Sequence, residues 1–350
     1  METLKIKTRK ERDVVDITDA VNKALKRHPP RGEIVHLFVK HTTAALTTVP
    51  LRWRISPHGT AKRYTLRMKA RFGIRSLRKS FPSEAACLAY LFKKRHSKKC
   101  SCGGQFVRMK GRKKYHCSRC SLQIAPTVET IFEKSKIPLS LWFHTLMVFS
   151  NAKSGISAKV IERDLEVTYK CAWRMLSLIR GALTQSEEPL HGDVEVDTGY
   201  IGGKAKLERR MHNKSTVFAA LQRTGGMRAE VTKDGSARAH KNFIWKNIST
   251  TRTRLLTDSA NHFLKVTAPY DREVVNHNKK EYVRGDAHVN NAENFWSHVK
   301  GSIRGTHKRV SKKYLQSYLD GFVFHANNRG SDKRRFFALL DTVLLDRGET

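Results

Sequence analysis

Three acids in the second half of the chain have the types and setting of a phosphoryl-transfer site. Asp197 closes the run DVEVD, in which Val194 and Val196 alternate with acids as on a strand with one buried face. Asp258 closes a second apolar run, RLLTD. Glu293 lies in HVNNAENFWSHVK, which reads as a helix opened by Asn290 or Asn291. Lys300 follows Glu293 by seven residues, and at ~100° per residue that spacing returns to the same face, so Glu293, Trp296 and Lys300 form one stripe. Any one of these acids alone reads as a surface residue. Together, two strand-end aspartates and a helix-borne glutamate suit a site whose hard carboxylate oxygens hold two Mg²⁺ or Mn²⁺ ions ~4 Å apart. Trp296 reads as core or as a base-stacking residue, and His277 and His288 as hydrogen-bonding or DNA contacts.

A second constellation has metal-ligand spacing. Cys100-Ser-Cys102 and Cys117-Ser-Arg-Cys120 flank a basic hairpin, GGQFVRMKGRKKYH, and four thiolates on two knuckles form the tetrahedron that Zn²⁺ prefers. With every side chain used as a ligand the zinc is structural. The first knuckle, C-x-C, is one residue short, and His96 or His116 is a substitute ligand; buried free thiols are the alternative.

These groups need elements to position them. SLWFHTLMVFS reads as a buried helix, and ISAKVIERDLEV with TYKCAWRMLSLIR as helix, turn, helix, with Ile156, Val160, Ile161, Leu165, Trp173, Leu176 and Ile179 inward. As a helix-turn-helix, the second helix presents Thr168, Tyr169, Lys170 and Arg174 to DNA; a plain helical bundle is the alternative. Composition favours DNA: 68 Lys and Arg against 31 acids give a net charge of +37, self-repelling without an anionic polymer. Residues 51–125 hold 21 Lys or Arg and one acid, Glu84, whereas residues 1–50 hold 10 bases and 6 acids. No run approaches the ~20 apolar residues of a membrane span, and METLKIKTRKERD carries charge where a signal peptide is apolar. The expectation is a cytoplasmic, nucleoid-associated protein with no membrane partner.

The expected architecture is an α+β or α/β multidomain chain. Residues 1–48 open as strand, helix, strand, and 49–80 form a basic junction, read as solvated linker or DNA-contacting arm. A zinc ribbon follows at 81–130, a helical DNA-binding region at 131–186 and a mixed-sheet catalytic domain at 190–340.

The segments VEVDTGYIGGK, the LLTD strand, VNHNKKEYVRGDAHVNNAENFWSHVKGSIRGTHKRVS and YLDGFVFHANNR resemble the insertion-sequence transposases in which a zinc ribbon precedes an RNase H-like DDE domain. The resemblance covers about residues 68–338. It implies that Asp197, Asp258 and Glu293 hold the metals, with Asn290 in the same motif, and that Lys300 contacts phosphate near the cut. It also implies double-stranded transposon-end and target DNA as partners, a homo-oligomer on DNA, and Lys113, Lys114, Lys170 and Arg174 among the DNA contacts. Two departures stand out: Thr198 where many members have Glu, and the short first knuckle. A decayed transposase that only binds DNA is the alternative. Residues 1–48, through ITDAVNKAL and LFVKHTTAALT, resemble the start of the secondary thiamine-phosphate synthase family, but the pattern stops near Thr48 before that family's site, so this activity is not expected.

Overall fold

The computed structural model describes residues 71–203, 214–258, 269–275 and 290–344. Contacts divide the chain into two units, Met1–Arg67 and Met68–Thr350, and the described residues belong to the second. The readings of residues 1–70, His277 and His288 lie outside the described residues, as does the side chain of Asp258.

The first part is helical. Helix α1 (Ile74–Ser80) precedes α2 (Glu84–Arg95), which starts where Ser83 accepts a hydrogen bond from Ala86 N at 3.2 Å. Strands β1 (Phe106–Arg108), β2 (Tyr115–Cys117) and β3 (Gln123–Ile124) form an antiparallel sheet. Helix α3 (Leu139–Asn151) is apolar on most sides and buries Trp142, Phe143 and Leu146. Its N-terminus has no cap of its own. Glu84 supplies one from α2, accepting from Leu139 N at 2.9 Å and Ser140 N at 3.0 Å, which gives the one acid of the basic region its role. Helices α4 (Ala158–Leu165) and α5 (Tyr169–Gly181) complete this layer.

The second part is a five-stranded sheet in the order β6-β5-β4-β7-β8. It comprises β4 (Leu190–Gly202), β5 (Lys214–Gln222), β6 (Met227–Thr232), β7 (Ile248–Asp258) and β8 (Asp271–Val275). The first three are antiparallel neighbours, while β7 runs parallel to β4 and β8 parallel to β7. Alternation sorts β4 as period two requires. Val194 and Val196 join Phe218 and Ala220 under helix α6 (Ala237–Asn247). The opposite face, with Ala219 and Leu221, is covered by α7 (Asn290–Ser302) and α8 (Leu315–Asn327), whose Leu315, Leu319, Phe322 and Val323 recur at helical spacing. A π-helical turn, Ile303–His307, follows α7 directly.

Outer strand β6 is closed by side chains instead of another strand. Asn327 accepts from Met227 N at 2.9 Å, Gln185 from Ala229 N at 3.0 Å and Gln316 from Val231 N at 2.8 Å. The C-terminal helix α9 (Asp332–Thr342) leaves this domain and packs Phe336, Leu339 and Leu340 into the helical layer. There the buried Arg335 donates to Ser150 O on α3 at 3.1 Å.

Three sequence expectations need correction. Residues 74–80 belong to the packed helical layer, not to a solvated junction: Leu77 is buried, and the flanking Phe72 stacks on Phe336 with ring centroids 4.7 Å apart. Two helical turns with a single buried residue are too short to show a period. Val160, expected inward, is 48% exposed, because Ile161 takes the inward position one residue (~100°) further on. Helix α9 begins within the range assigned to the catalytic domain, yet its apolar partners come from the helical layer between Phe72 and Leu183.

Candidate active site and DNA-facing elements

The three acids of DVEVD have three different roles. Asp193 is bound by Arg254, Nε at 2.9 Å and Nη2 at 2.7 Å, and Arg254 also reaches Glu273 at 2.9 Å. This ion cluster lies towards the start of the parallel strands. Glu195, wholly buried, faces the N-terminus of α7. Asp197 is half-buried: its Oδ1 accepts from Thr198 N at 2.7 Å and its Oδ2 from Trp296 Nε1 at 3.0 Å.

Strand register brings the second acid to the first. Val196 pairs with Thr257, so the next residues on these adjacent parallel strands are Asp197 and Asp258. Glu293 stands in the first turn of α7, between Asn291, bonded to Glu195, and Trp296, bonded to Asp197. Glu293 and Lys300 are exposed while Trp296 is 5% exposed, so the tryptophan is core and its role is to hold Asp197. Gly199 makes this possible. A Cβ there would lie 2.7 Å from Trp296 Cδ2 and 2.8 Å from Cε2 and Cε3, so only glycine lets the indole lie on the strand. On the other side of β4, Thr198 meets His240 Nε2 at 2.9 Å, and His240 Nδ1 donates to Ser236 O at 2.9 Å. That leaves Nε2 as the acceptor for the Thr198 hydroxyl. Carboxylate oxygens such as those of Asp197 are the hard donors that a divalent cation takes.

Sequence reasoning did not single out Glu195 or Gly199. Neither carries a local signal, since the partners that give them meaning lie about 100 residues further along the chain.

All four predicted thiols converge, with their sulfurs within 4.8 Å of one another. Cys100 Sγ lies 3.6 Å from Cys120 Sγ, and Cys102 Sγ 3.4 Å from Cys117 Sγ. A tetrahedron with Zn–S bonds of ~2.3 Å has edges of about 3.8 Å, so the short C-x-C knuckle closes the set without a histidine. The backbone N–H groups of Cys120 and Arg119 hold the Cys117 thiol down to about 6, favouring the thiolate a metal needs. Cys87, outside the cluster, is pushed up to about 12 by burial and the Glu84 carboxylate. Gly104 abuts the site: a Cβ there would come within 2.6 Å of Cys117 Sγ.

Helices α4 and α5 are joined by a tight turn. Glu166 takes a left-handed conformation, φ 55°, and Thr168 caps α5 by accepting from Cys171 N at 3.3 Å. Tyr169, Lys170 and Arg174 are exposed along one side of α5, with Lys159 Nζ 5.4 Å from the Tyr169 ring centroid. Trp173 is half-buried against Tyr314, ring centroids 5.5 Å apart. In the ribbon hairpin, Lys113 turns inward to Glu84 at 3.4 Å and Ile137 O at 3.3 Å, while Lys114 is exposed beside Gln123. Helix α7 reaches back to the turn before α4. His298 Nε2 lies 3.0 Å from Lys153 O, and the His307 ring sits over Gly155, where a Cβ would be 2.4 Å from Nε2. Among the described residues no helix is long and apolar enough to cross a membrane.

A mixed sheet in which three antiparallel strands are followed by two parallel ones, with helices on both faces, defines an RNase H-like fold. Residues 189–327 match the family described as the ISXO2-like transposase domain. The match ends with α8, before α9 returns to the helical layer. Residues 2–52 match a different family, UPF0047 protein YjbQ-like. Over 251 residues the chain is 26% identical to an uncharacterized protein in transposable element ISH50 of Halobacterium salinarum, covering 66% of this chain and 84% of that protein. A cryo-EM structure of the simian T-cell lymphotropic virus intasome in complex with PP2A regulatory subunit B56 gamma is similar at 8% identity and a TM-score of 0.24. It covers 46% of this chain and 58% of that one, and a likeness that low carries no argument.

Proposed function

We propose that the chain is a DNA transposase that cuts the strand ends of an insertion sequence and joins them to target DNA in the cytoplasm. The observation that supports this reading is the backbone adjacency of Asp197 and Asp258 on parallel strands, with Trp296 of α7 bonded to Asp197, in the segment that matches a transposase family. Water attacks the phosphodiester at each end, releasing a 3′ hydroxyl that then attacks a target phosphodiester in line. Mg²⁺ or Mn²⁺ held by Asp197, Asp258 and Glu293 would supply activation of the attacking oxygen and stabilisation of charge on the leaving one. Trp296 fixes the Asp197 carboxylate. Lys300, exposed on the Glu293 side of α7, binds a phosphate near the cut. Transposon-end DNA is held by α5 through Tyr169, Lys170 and Arg174 and by the ribbon through Lys114, with charge attraction dominating affinity. The protein assembles as a homo-oligomer on two ends.

The test is end cleavage and strand transfer on DNA carrying the inverted repeats that flank the gene. Asp258→Asn brings both reactions to background in Mg²⁺ and leaves end binding close to wild type. Cleavage by this variant near the wild-type rate would reject the assignment, and end binding without cleavage by the wild type would leave a binding-only protein.

A further inference from the structure

We propose that Glu195 is a positioning residue of the site: it anchors the start of α7 and so sets Glu293 against Asp197. The inference rests on the transposase reading only for the use to which the positioned carboxylate is put.

Glu195 has no exposed surface, and a buried carboxylate is costly unless its oxygens are fully engaged. Four donors among the described residues reach it. Oε2 accepts from Asn291 N at 2.9 Å and Ala292 N at 3.2 Å; Oε1 accepts from Asn291 Nδ2 at 2.8 Å and Arg223 Nε at 3.2 Å. A carboxylate has about four lone-pair sites, so Glu195 is filled by protein donors and is not a metal ligand. Two of the donors are N–H groups of the first turn of α7, which no residue of the helix itself can satisfy, and the carboxylate also meets the positive end of the helix dipole.

The geometry makes this anchor one of a pair. Glu195 and Asp197 lie on the same face of β4, ~6.8 Å apart along the strand at ~3.4 Å per residue. The groups they bind on α7, Ala292 N and Trp296, are four residues apart, ~6 Å of helix at 1.5 Å per residue. The two spacings match, so α7 is pinned to β4 at two points in register. Glu293 lies between the pins. Its placement along the strand is therefore set by Glu195 at one end and Asp197 at the other.

The experiment compares full-length Glu195→Gln with wild type and Glu293→Gln. It has three readouts: amide exchange in α7 relative to β5, Mn²⁺ affinity by titration, and end cleavage as a function of Mg²⁺. Gln keeps the volume and one acceptor oxygen but turns an NH₂ towards N–H donors. Glu195→Gln is expected to exchange at least tenfold faster at Asn291 and Ala292 with β5 unchanged. Its Mn²⁺ affinity and cleavage should each fall about 10- to 100-fold, the usual cost of losing a group that orients a ligand, and cleavage should recover partly at high Mg²⁺. Glu293→Gln should not recover. Wild-type exchange at Asn291 and Ala292 in the Gln variant would overturn the proposal. So would cleavage abolished at every Mg²⁺ concentration with exchange unchanged, which would make Glu195 a ligand. Glu195→Ala extends the series, and if it does not fold the Gln variant decides. If the wild type does not cut DNA, the transposase reading fails, while exchange and Mn²⁺ affinity still test the anchor.

Discussion

Replacing Gly199 with alanine adds one methyl group, and the structure gives its consequence. The new carbon would lie 2.7–2.8 Å from three atoms of the Trp296 indole, whereas ordinary contact begins near 3.4 Å. The ring must retreat by about 0.7 Å or more, and the neighbouring atom is a ring fusion that cannot bend aside. A retreat of that size takes Trp296 Nε1, now 3.0 Å from Asp197 Oδ2, beyond hydrogen-bonding range. Overpacking costs about 1–3 kcal/mol. Losing a bond to a charged acceptor costs about 1.5–3 kcal/mol. Alanine returns about 0.5–1 kcal/mol of backbone entropy in a strand. The net expectation is a destabilisation of roughly 1.5–5.5 kcal/mol, read from urea unfolding, together with a lower end-cleavage rate because α7 moves off Asp197. Trp296→Leu removes the clashing ring, so it should partly rescue Gly199→Ala, with a favourable coupling of about 1–3 kcal/mol. A Gly199→Ala protein within ~0.5 kcal/mol of wild type, or two substitutions whose effects simply add, would show that the indole is not wedged against the strand.

Purified protein should contain one zinc per ribbon by elemental analysis, lost with Cys117→Ser or Cys120→Ser and weakened by Gly104→Ala; folded, DNA-binding protein without zinc would refute the tetrathiolate. Burial, then the charge of a nearby arginine, lowers His307 and His325 from 6.5 to about 4 each. Between those values the unfolded chain binds more protons, so stability is complete above about pH 6.5 and falls as pH drops towards 4. Urea midpoints unchanged from pH 7 to pH 4.5 would contradict this, and His325→Leu should flatten the slope. A chain beginning at Met68 should retain zinc, end binding and cleavage, since the transposase match and the described core lie within Met68–Thr350; loss of any of the three would give residues 1–67 a working part.

Much of the scaffold was legible because it follows local rules. Alternation in DVEVD, the apolar spacing of α3 and α5 and the paired cysteines each reflect one element with one buried side, and the structure keeps them. Asp197 was legible as an acid on a strand, although the strand runs on to Gly202 instead of ending there, and its two companions in DVEVD looked equivalent to it. They differ only in what crosses them: Arg254 at Asp193, the first turn of α7 at Glu195, the indole at Asp197. Lys113 was grouped with Lys114 for the same reason, since nothing in GRKKYH distinguishes a lysine that turns to Glu84 from one that stays in solvent.

What the sequence hid is the set of contacts that fix α7, and these explain why so few residues serve the chemistry directly. The placement of a carboxylate in the first turn of a helix follows that of the helix. Here α7 is held at its start by Glu195, in its middle by Trp296 on Gly199, and from outside by His298 against Lys153 O. The last of these ties it to the turn that leads into α4 and α5. On the proposed reading, α7 and the turn after it, which touch the segment before α4 at Lys153 and Gly155, would set the acid of α7 relative to the helical pair that carries the exposed bases. On the proposed reading, the charge of +37 would draw DNA to the protein from any direction, and these few contacts would decide which phosphate meets the acids.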